Sequence, residues 1–312
     1  MRPGFVSGFV SILGRPNAGK STLLNRLVGS KIAIVAEKPQ TTRETIQGVL
    51  TRPDAQIVFL DSPGIHQPRN SLSRRMMREV RAALQARDLL LLLVDATVPF
   101  GAGSQSEDAR AVELVRSAGT PVLLALNKID RLKRKDVLLP LIDKYRALFS
   151  FEEYFPISAL TGEGVEELTE ALVARLPEGP QYFPADHVTD QPLRHLAAEL
   201  VREKIIHATQ REVPYSIAVV VDQFQEERRL IRLAATIYVE RDGQKGIIIG
   251  SGGERLKQIG TLARQEMEAL FGRKVFLELH VKVRRDWRDS ESFVEALDWR
   301  KQLEARAGST KN

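Results

Sequence analysis

The chain has 312 residues, 43% hydrophobic and 28% charged, the proportions of a globular protein long enough for two domains. It contains no cysteine, which excludes disulfides and thiolate metal sites and fits a reducing cytosol. The net charge of +6 is an excess of four over residues 1–180 and of two over residues 181–312, so an anionic partner has to be recognised by a local site rather than by a global field.

An apolar run, Phe5 to Leu13, is predicted to be the first strand; it flows directly into a loop, which argues against a signal peptide. That loop, Gly14-Arg15-Pro16-Asn17-Ala18-Gly19-Lys20-Ser21, matches the phosphate-binding pattern GxxxxGK[S/T] without a mismatch. Thr22 to Leu27 follows with leucines at helical spacing, so the motif lies between a strand and a helix. Glycines let the backbone curl until successive N–H groups point inward, and the helix N-terminus adds its partial positive charge. Lys20 is expected to reach the β- and γ-phosphates and the Ser21 hydroxyl to ligate Mg²⁺.

The polar stretch Ser30 to Glu44 contains Lys38-Pro39-Gln40-Thr41-Thr42-Arg43 and is predicted to be a loop. One of its threonines would meet Mg²⁺ only when a γ-phosphate is present; a solvated loop with incidental threonines is the competing reading. Strands follow at Thr45 to Thr51 and Gln56 to Leu60, the second ending in Asp61-Ser62-Pro63-Gly64. Asp61 is placed to hold Mg²⁺ through water, and Gly64 leaves room for its N–H to face a γ-phosphate. Ser73 to Arg87 has helical spacing with arginines on its solvated faces. Leu89 to Val94, the longest aliphatic run, is far too short to span a membrane and reads as a buried parallel strand.

A helix at Glu107 to Ser117 and a strand at Pro121 to Leu126 continue an α/β alternation that predicts a doubly wound sheet. The strand ends in Asn127-Lys128-Ile129-Asp130. A carboxylate in a base pocket accepts two hydrogen bonds from guanine, while adenine has no matching pair of donors. Asp130 is assigned that role, with Asn127 on the other side of the base and the Lys128 stem over its face. After a helix at Lys135 to Phe149 and a strand near Tyr154 to Ile157, the N–H groups of Ser158-Ala159-Leu160 are candidates for the guanine oxygen. Glu163 to Leu176 is predicted to be the last helix of this domain.

Pro177 to Pro184 holds three prolines and a glycine and reads as an extended linker. Beyond it the pattern is helix (Pro192 to Ala208), strand (Tyr215 to Val221), strand (Arg229 to Glu240), a segment ending in Ile247-Ile248-Ile249-Gly250-Ser251-Gly252-Gly253, a helix to Phe271 and a strand at Lys274 to Val283. The order α-β-β-α-α-β with GxxG between two helices is that of an RNA-binding KH module. Gly250, Ser251, Gly252 and Gly253 are expected to let a phosphodiester backbone approach, the aliphatic run Ile247 to Ile249 with Ile248 at its centre to give bases an apolar wall, and Arg255 and Lys257 to face the RNA. The basic run Lys282 to Arg288, with Trp287, is a candidate extension of that surface or a solvated run.

Together GRPNAGKS, QTTR, DSPG, NKID, SAL and GSGG resemble the bacterial Era family of ribosome-associated GTPases over essentially the whole chain. The resemblance implies a P-loop GTPase domain (1–178), a linker (179–191), a type II KH domain of α+β class (192–285) and a C-terminal helical tail (286–312). It implies GTP and GDP with Mg²⁺ as ligands and GTP hydrolysis as the reaction. The implied partners are the 3′ end of 16S ribosomal RNA and the 30S subunit whose maturation it assists. It further implies a cytoplasmic monomer, without a transmembrane segment, that associates peripherally with the inner membrane. By motif, Thr42 rather than Thr41 becomes the Mg²⁺-sensing residue. DSPG departs from the commoner DTPG at a position that supplies no essential ligand. Where Ras-like GTPases place a water-orienting glutamine the sequence has Ile65, so Asn17, through a bound K⁺, is a candidate catalytic contributor with Lys20, Thr42 and Gly64. The alternative is an RNA-binding protein in which the nucleotide is structural and does not turn over.

Overall fold

The computed structural model describes residues 4–36, 38, 40–85, 87–98, 105–210 and 213–303. Pro39 and the end of the expected helical tail, 304–312, lie outside the described residues. The chain forms two compact units, Met1–Gln67 with Met76–Asp190, and Pro68–Arg75 with Gln191–Asn312.

Through residue 190 the elements are β1 (Val6–Leu13), α1 (Lys20–Val28), β2 (Ile46–Thr51), β3 (Ala55–Asp61), α2 (Ser71–Ala83), β4 (Leu89–Asp95), α3 (Gln105–Ala118), β5 (Val122–Asn127), α4 (Leu138–Leu148), β6 (Glu153–Pro156) and α5 (Val165–Val173). The strand order is β2-β3-β1-β4-β5-β6, with β2 antiparallel to β3 and the remaining pairs parallel. A parallel sheet must be covered on both faces, which is why β4 is a run of leucines with no polar alternation. Successive strand residues go to opposite cores. Val10, Ile12, Leu91, Leu93 and Leu123 pack with Leu23, Leu24 and Leu27 of α1 and with Leu168 and Leu172 of α5. Leu90, Leu92, Leu124 and Leu126 pack with Val112 and Val115 of α3 and with Leu141 and Tyr145 of α4.

The stretch expected to be an extended linker is laid against this sheet. Ser7 donates from its N–H to the Pro177 carbonyl at 3.0 Å and from Oγ to that of Pro180 at 2.7 Å. Oε1 of the buried Gln56 accepts from the N–H groups of Tyr182 and Phe183 at 2.7 and 3.0 Å. The prolines remove donors and keep the segment extended, and this buried amide fixes where it runs.

The second unit contains α6 (Leu193–Ala208), β7 (Ala218–Glu226), β8 (Leu230–Val239), α7 (Asp242–Ile249), α8 (Glu254–Phe271), β9 (Lys274–Val283) and α9 (Glu291–Ala296), in the expected α-β-β-α-α-β order. β7 and β8 are antiparallel and β8 and β9 parallel. β7 runs five residues beyond the expected Val221, because a bulge at Asp222 re-registers the strand; Asp222 Oδ2 accepts from Thr236 Oγ1 at 2.7 Å. The grouping of Pro68–Arg75 with this unit was not legible in the sequence, which reads the arginines here as solvated. Arg75 is buried, donating to the Val294 carbonyl at 2.6 Å and pairing with Asp298 at 2.9 Å. Among the described residues no helix is long and apolar enough to cross a membrane.

Candidate functional site

In open α/β sheets the carboxyl ends of the strands form the ligand crevice. The motif residues of the first unit gather there: the phosphate loop after β1, Asp61 ending β3, Asp95 ending β4, Asn127 ending β5 and Ser158 after β6. Gly14 opens the loop, Ala18 is buried beneath it, and α1 begins at Lys20, so Ser21 and Thr22 lie in its first turn. Asn17 and Gly19 hold left-handed backbone at φ 63° and 98°, which turns the chain tightly enough for consecutive N–H groups to converge. Lys20 folds back over the loop, its Nζ donating to the carbonyls of Gly14 and Arg15 at 3.3 and 3.2 Å. Burial pulls its ammonium below the usual lysine range, against the opposing pull of Asp61.

Three oxygens cluster beside Lys20. Ser21 Oγ donates to Asp61 Oδ2 at 2.7 Å and lies 2.7 Å from Thr42 Oγ1, which is 3.5 Å from the same carboxylate oxygen. Neighbouring ligands of an octahedral Mg²⁺ with bonds of about 2.1 Å are about 3 Å apart, so the spacing suits that ion. Asp61 Oδ1 is buried with no hydrogen-bond partner, an acceptor left for a cation or its water. Burial pushes the Asp61 carboxyl up to about 6, although Lys20, Ser21 and Thr42 oppose the shift. Thr42 joins the cluster, whereas Thr41 Oγ1 turns away to the Lys38 carbonyl at 2.6 Å. Among the described residues there is no cluster of three or more His, Asp or Glu that could hold a metal. Gly64 packs on the phosphate loop: a Cβ there would lie 2.7 Å from the Pro16 backbone. The next side chain, Ile65, is buried in the core with Leu13 and Val80, and its N–H donates to the Gly14 carbonyl at 3.0 Å.

A cavity of about 610 Å³ continues from the phosphate loop, lined by Asn127, Lys128, Asp130, Ala159 and Leu160 among others. Its size is within the roughly 300–1,000 Å³ of small-molecule sites. Ser158 Oγ donates to Asp130 Oδ1 at 2.6 Å and fixes the carboxylate. Asn127, expected beside the base, lines this cavity and is also a brace: Nδ2 donates to the Ala18 carbonyl at 2.8 Å and Oδ1 accepts from the Ala159 N–H at 2.9 Å. It ties the phosphate loop to the base loop.

Two residues outside every motif, Asp95 and Asn25, and one at a variable position of the phosphate loop, Arg15, complete the site. Asp95 accepts from Lys128 Nζ at 2.7 Å, anchoring the ammonium while the stem stays on the cavity wall. Burial opposes the charge of Asp95, but Lys128 and the hydrogen bonds from Thr97 outweigh it and hold the carboxyl below its ordinary range. Arg15 sits 3.7 Å from Asp95 and 4.0 Å from Asp108, linking the loop to the same network. Asn25 of α1 accepts from Ile32 and Ala33 N–H groups at 3.0 and 2.9 Å, fixing the start of the polar loop that ends in Thr42. The only sequence signal for them is a polar residue at a strand end or in a loop–helix junction, which solvated residues share.

In the second unit, α7 ends and α8 begins around Gly250 to Gly253. Gly250 has φ 74° and ψ 179°, and a Cβ on it would lie 2.8 Å from Cβ of Arg255, so glycine is required. Ser251 and Gly252 are exposed, and open space surrounds Gly252 and Gly253. Lys257 is exposed on α8, while Arg255 donates back to the Ile247 carbonyl at the end of α7. The expectation for Ile248 is corrected: it is fully buried, one helical turn past the buried Gln244, and cannot meet a base. Ile247 is the exposed isoleucine. Trp287 is likewise a core residue, its Nε1 donating to the Ser216 carbonyl at 2.9 Å, and offers no stacking face.

A family model described as 50S ribosome-binding GTPase matches residues 9–128, and a KH domain model matches residues 212–288. GTPase Era of Syntrophus aciditrophicus (strain SB) is 54% identical over 285 residues, 91% of this chain and 92% of that relative. GTPase Era of Staphylococcus haemolyticus (strain JCSC1435) is 48% identical over 294 residues, 94% of this chain and 97% of its own length. Aquifex aeolicus Era, solved as a variant bound to GDP·AlF₄⁻, superposes with a TM-score of 0.89 at 40% identity, covering 95% of this chain and 99% of that one. An Era structure with MgGDPNP and nucleotides 1506–1542 of 16S ribosomal RNA gives 0.90 at 41% identity and the same coverage. With identity of 48–54% to two relatives over more than nine tenths of its length, the chain belongs to the Era family of GTPases.

Proposed function

We propose that this chain is a GTP-hydrolysing switch that binds the 3′ end of 16S ribosomal RNA and assists maturation of the 30S subunit. Mg²⁺, held by Ser21 and Thr42 with Asp61 behind it, would neutralise charge on the β- and γ-phosphates. Lys20, now on the Gly14 and Arg15 carbonyls, would hold the same phosphates, and the Gly64 N–H would be a donor to the γ-phosphate. The observation that carries the reading is the approach of Thr42 to Ser21 and Asp61, which supports a loop whose threonine would join Mg²⁺ and so respond to the γ-phosphate. A purely structural nucleotide would need no such detector. We assign RNA contact to the exposed backbone of Ser251 and Gly252, to Gly253 and to Lys257. A cytoplasmic monomer peripherally associated with the inner membrane is the corresponding cellular state, carried by the family resemblance.

The test is GTP turnover with and without an RNA of the 16S 3′ end. Turnover that is absent in both conditions would return the nucleotide to a structural role. Asp130→Asn, which replaces one of the two carboxylate acceptors by an NH₂ donor that faces a xanthine carbonyl better than the guanine exocyclic amine, should shift preference toward xanthine nucleotides; unchanged GTP affinity would remove Asp130 from the pocket.

A further inference from the structure

Arg26 stands on α1, six residues after Lys20, on the exposed side of the helix, where an arginine ordinarily serves only solvation. Here its guanidinium reaches the loop after β6, Nε donating to the Ala159 carbonyl at 3.4 Å and Nη2 to the carbonyl of Leu160. In a trans peptide the C=O and the following N–H point to opposite sides. Holding the Ala159 carbonyl toward α1 therefore turns the Leu160 N–H away from Arg26. Holding the Leu160 carbonyl does the same for the Thr161 N–H, which donates to Ser158 Oγ at 3.1 Å, the hydroxyl that in turn donates to Asp130. Ala159, Leu160 and Asp130 all line the large cavity. The planar fork of an arginine suits two adjacent carbonyls, and a bond from a charged donor is stronger than a neutral one.

We propose that Arg26 is a positioning residue for purine selection, aiming the Leu160 N–H at the 6-oxo group of guanine while supporting the Ser158–Asp130 pair from behind. The proposal rests on the reading of this cavity as the guanine pocket. A helix that starts at the phosphates thus also sets the loop that reads the base, through a side chain that touches neither.

The experiment uses the full chain and two nucleotides, GDP and the diphosphate of 2-aminopurine riboside, which keeps the exocyclic amine and lacks the 6-oxo group and, with it, the N1 proton. Affinities of the wild type, Arg26→Ala and Arg26→Lys are measured by calorimetry, with thermal unfolding as the check on folding. Arg26→Ala should lose about tenfold more affinity for GDP than for the analogue, as expected for misplacing one donor. Arg26→Lys should recover part of that difference, because a point donor can hold one carbonyl but not two. Equal losses for the two nucleotides, or unchanged discrimination in Arg26→Ala, would overturn the proposal while leaving the pocket intact. A wild type that binds both nucleotides equally would overturn the pocket reading, and the proposal with it.

Discussion

A Cβ on Gly19 would lie 2.3 Å from Nδ2 of Asn127, the amide that bonds the Ala18 carbonyl on one side and the Ala159 N–H on the other. The phosphate loop and the base loop are thus held in register by one buried side chain, and Gly19 has no Cβ because that amide fills the space. Asn127→Ala leaves a buried carbonyl and a buried N–H unpaired, at about 1–3 kcal/mol each. Nucleotide affinity measured by calorimetry should fall at least about 100-fold. An affinity within about threefold of wild type would mean that the loops hold their register without the brace.

Asp61 makes the metal site sensitive to pH. Its carboxyl is pushed up to about 6 in the folded chain by burial, above the unfolded value of about 3.9. The folded state therefore binds this proton more tightly than the unfolded state does. The contribution of Asp61 to stability falls as pH rises from about 4 to about 6 and is level above that. Mg²⁺ has to displace the proton, so its affinity should drop about tenfold per pH unit below 6 and become flat above it. Mg²⁺-dependent nucleotide binding across pH 5 to 7.5 tests this. Asp61→Asn should remove the slope along with most of the metal affinity, and a slope that survives in the variant would place the titrating group elsewhere.

Ile65 stands one residue after Gly64, where a water-orienting group is expected, yet its side chain belongs to the core. Ile65→Ala should cost about 2–4 kcal/mol of stability by leaving a cavity, while the folded fraction still hydrolyses GTP. Chemical denaturation gives the first quantity and turnover per folded molecule the second. A variant of full stability would contradict the burial of Ile65.

How far the sequence reaches depends on whether a residue acts through its immediate neighbours in the chain. The phosphate loop does, since its glycines, lysine and serine form one local turn, and β4 does, since a run of leucines can only be an interior strand. The spacing of Thr42 from Ser21 and Asp61 could be anticipated only as one of two threonines, because the choice is made by a loop closing across 19 to 21 positions. Arg26 and Asp95 were illegible. Their partners are 133 and 33 positions away, and nothing local distinguishes an arginine on a helix surface or an aspartate at a strand end from a solvated one. Ile248 failed for a related reason. Three consecutive isoleucines in a helix cannot share a face, and only the packing of the unit decides which one is inside.

The GxxG loop offers a pair of variants with opposite outcomes. Gly252 has φ 56° in open space, a left-handed backbone that aspartate tolerates better than most residues. Gly252→Asp should fold, keep intrinsic GTP hydrolysis and lose RNA affinity by orders of magnitude through charge repulsion. Gly250→Ala, which meets Arg255 Cβ at 2.8 Å, should lower the melting temperature instead. Retained RNA affinity in folded Gly252→Asp would rule out this loop as the clamp.

With Ile65 in the core, the attacking water has to be oriented and the transition-state charge neutralised by something other than a side chain at that position. Asn17 borders both the small pocket of Lys20, Ser21 and Gly64 and the larger cavity of Asp130, a place from which an amide oxygen can hold a monovalent cation against the phosphates. A cation there would supply the positive charge that an arginine finger supplies elsewhere. K⁺ should therefore accelerate hydrolysis over Na⁺ at matched ionic strength, and removing the Asn17 side chain should abolish the difference. The informative variant is Asn17→Gly rather than Asn17→Ala. The backbone here holds φ 63°, which glycine adopts freely and alanine does not, so loss of the cation effect in the glycine variant reports the amide and not a distorted loop. Equal wild-type rates in K⁺ and Na⁺ would sink the cation mechanism and leave an external activator as the missing catalytic element.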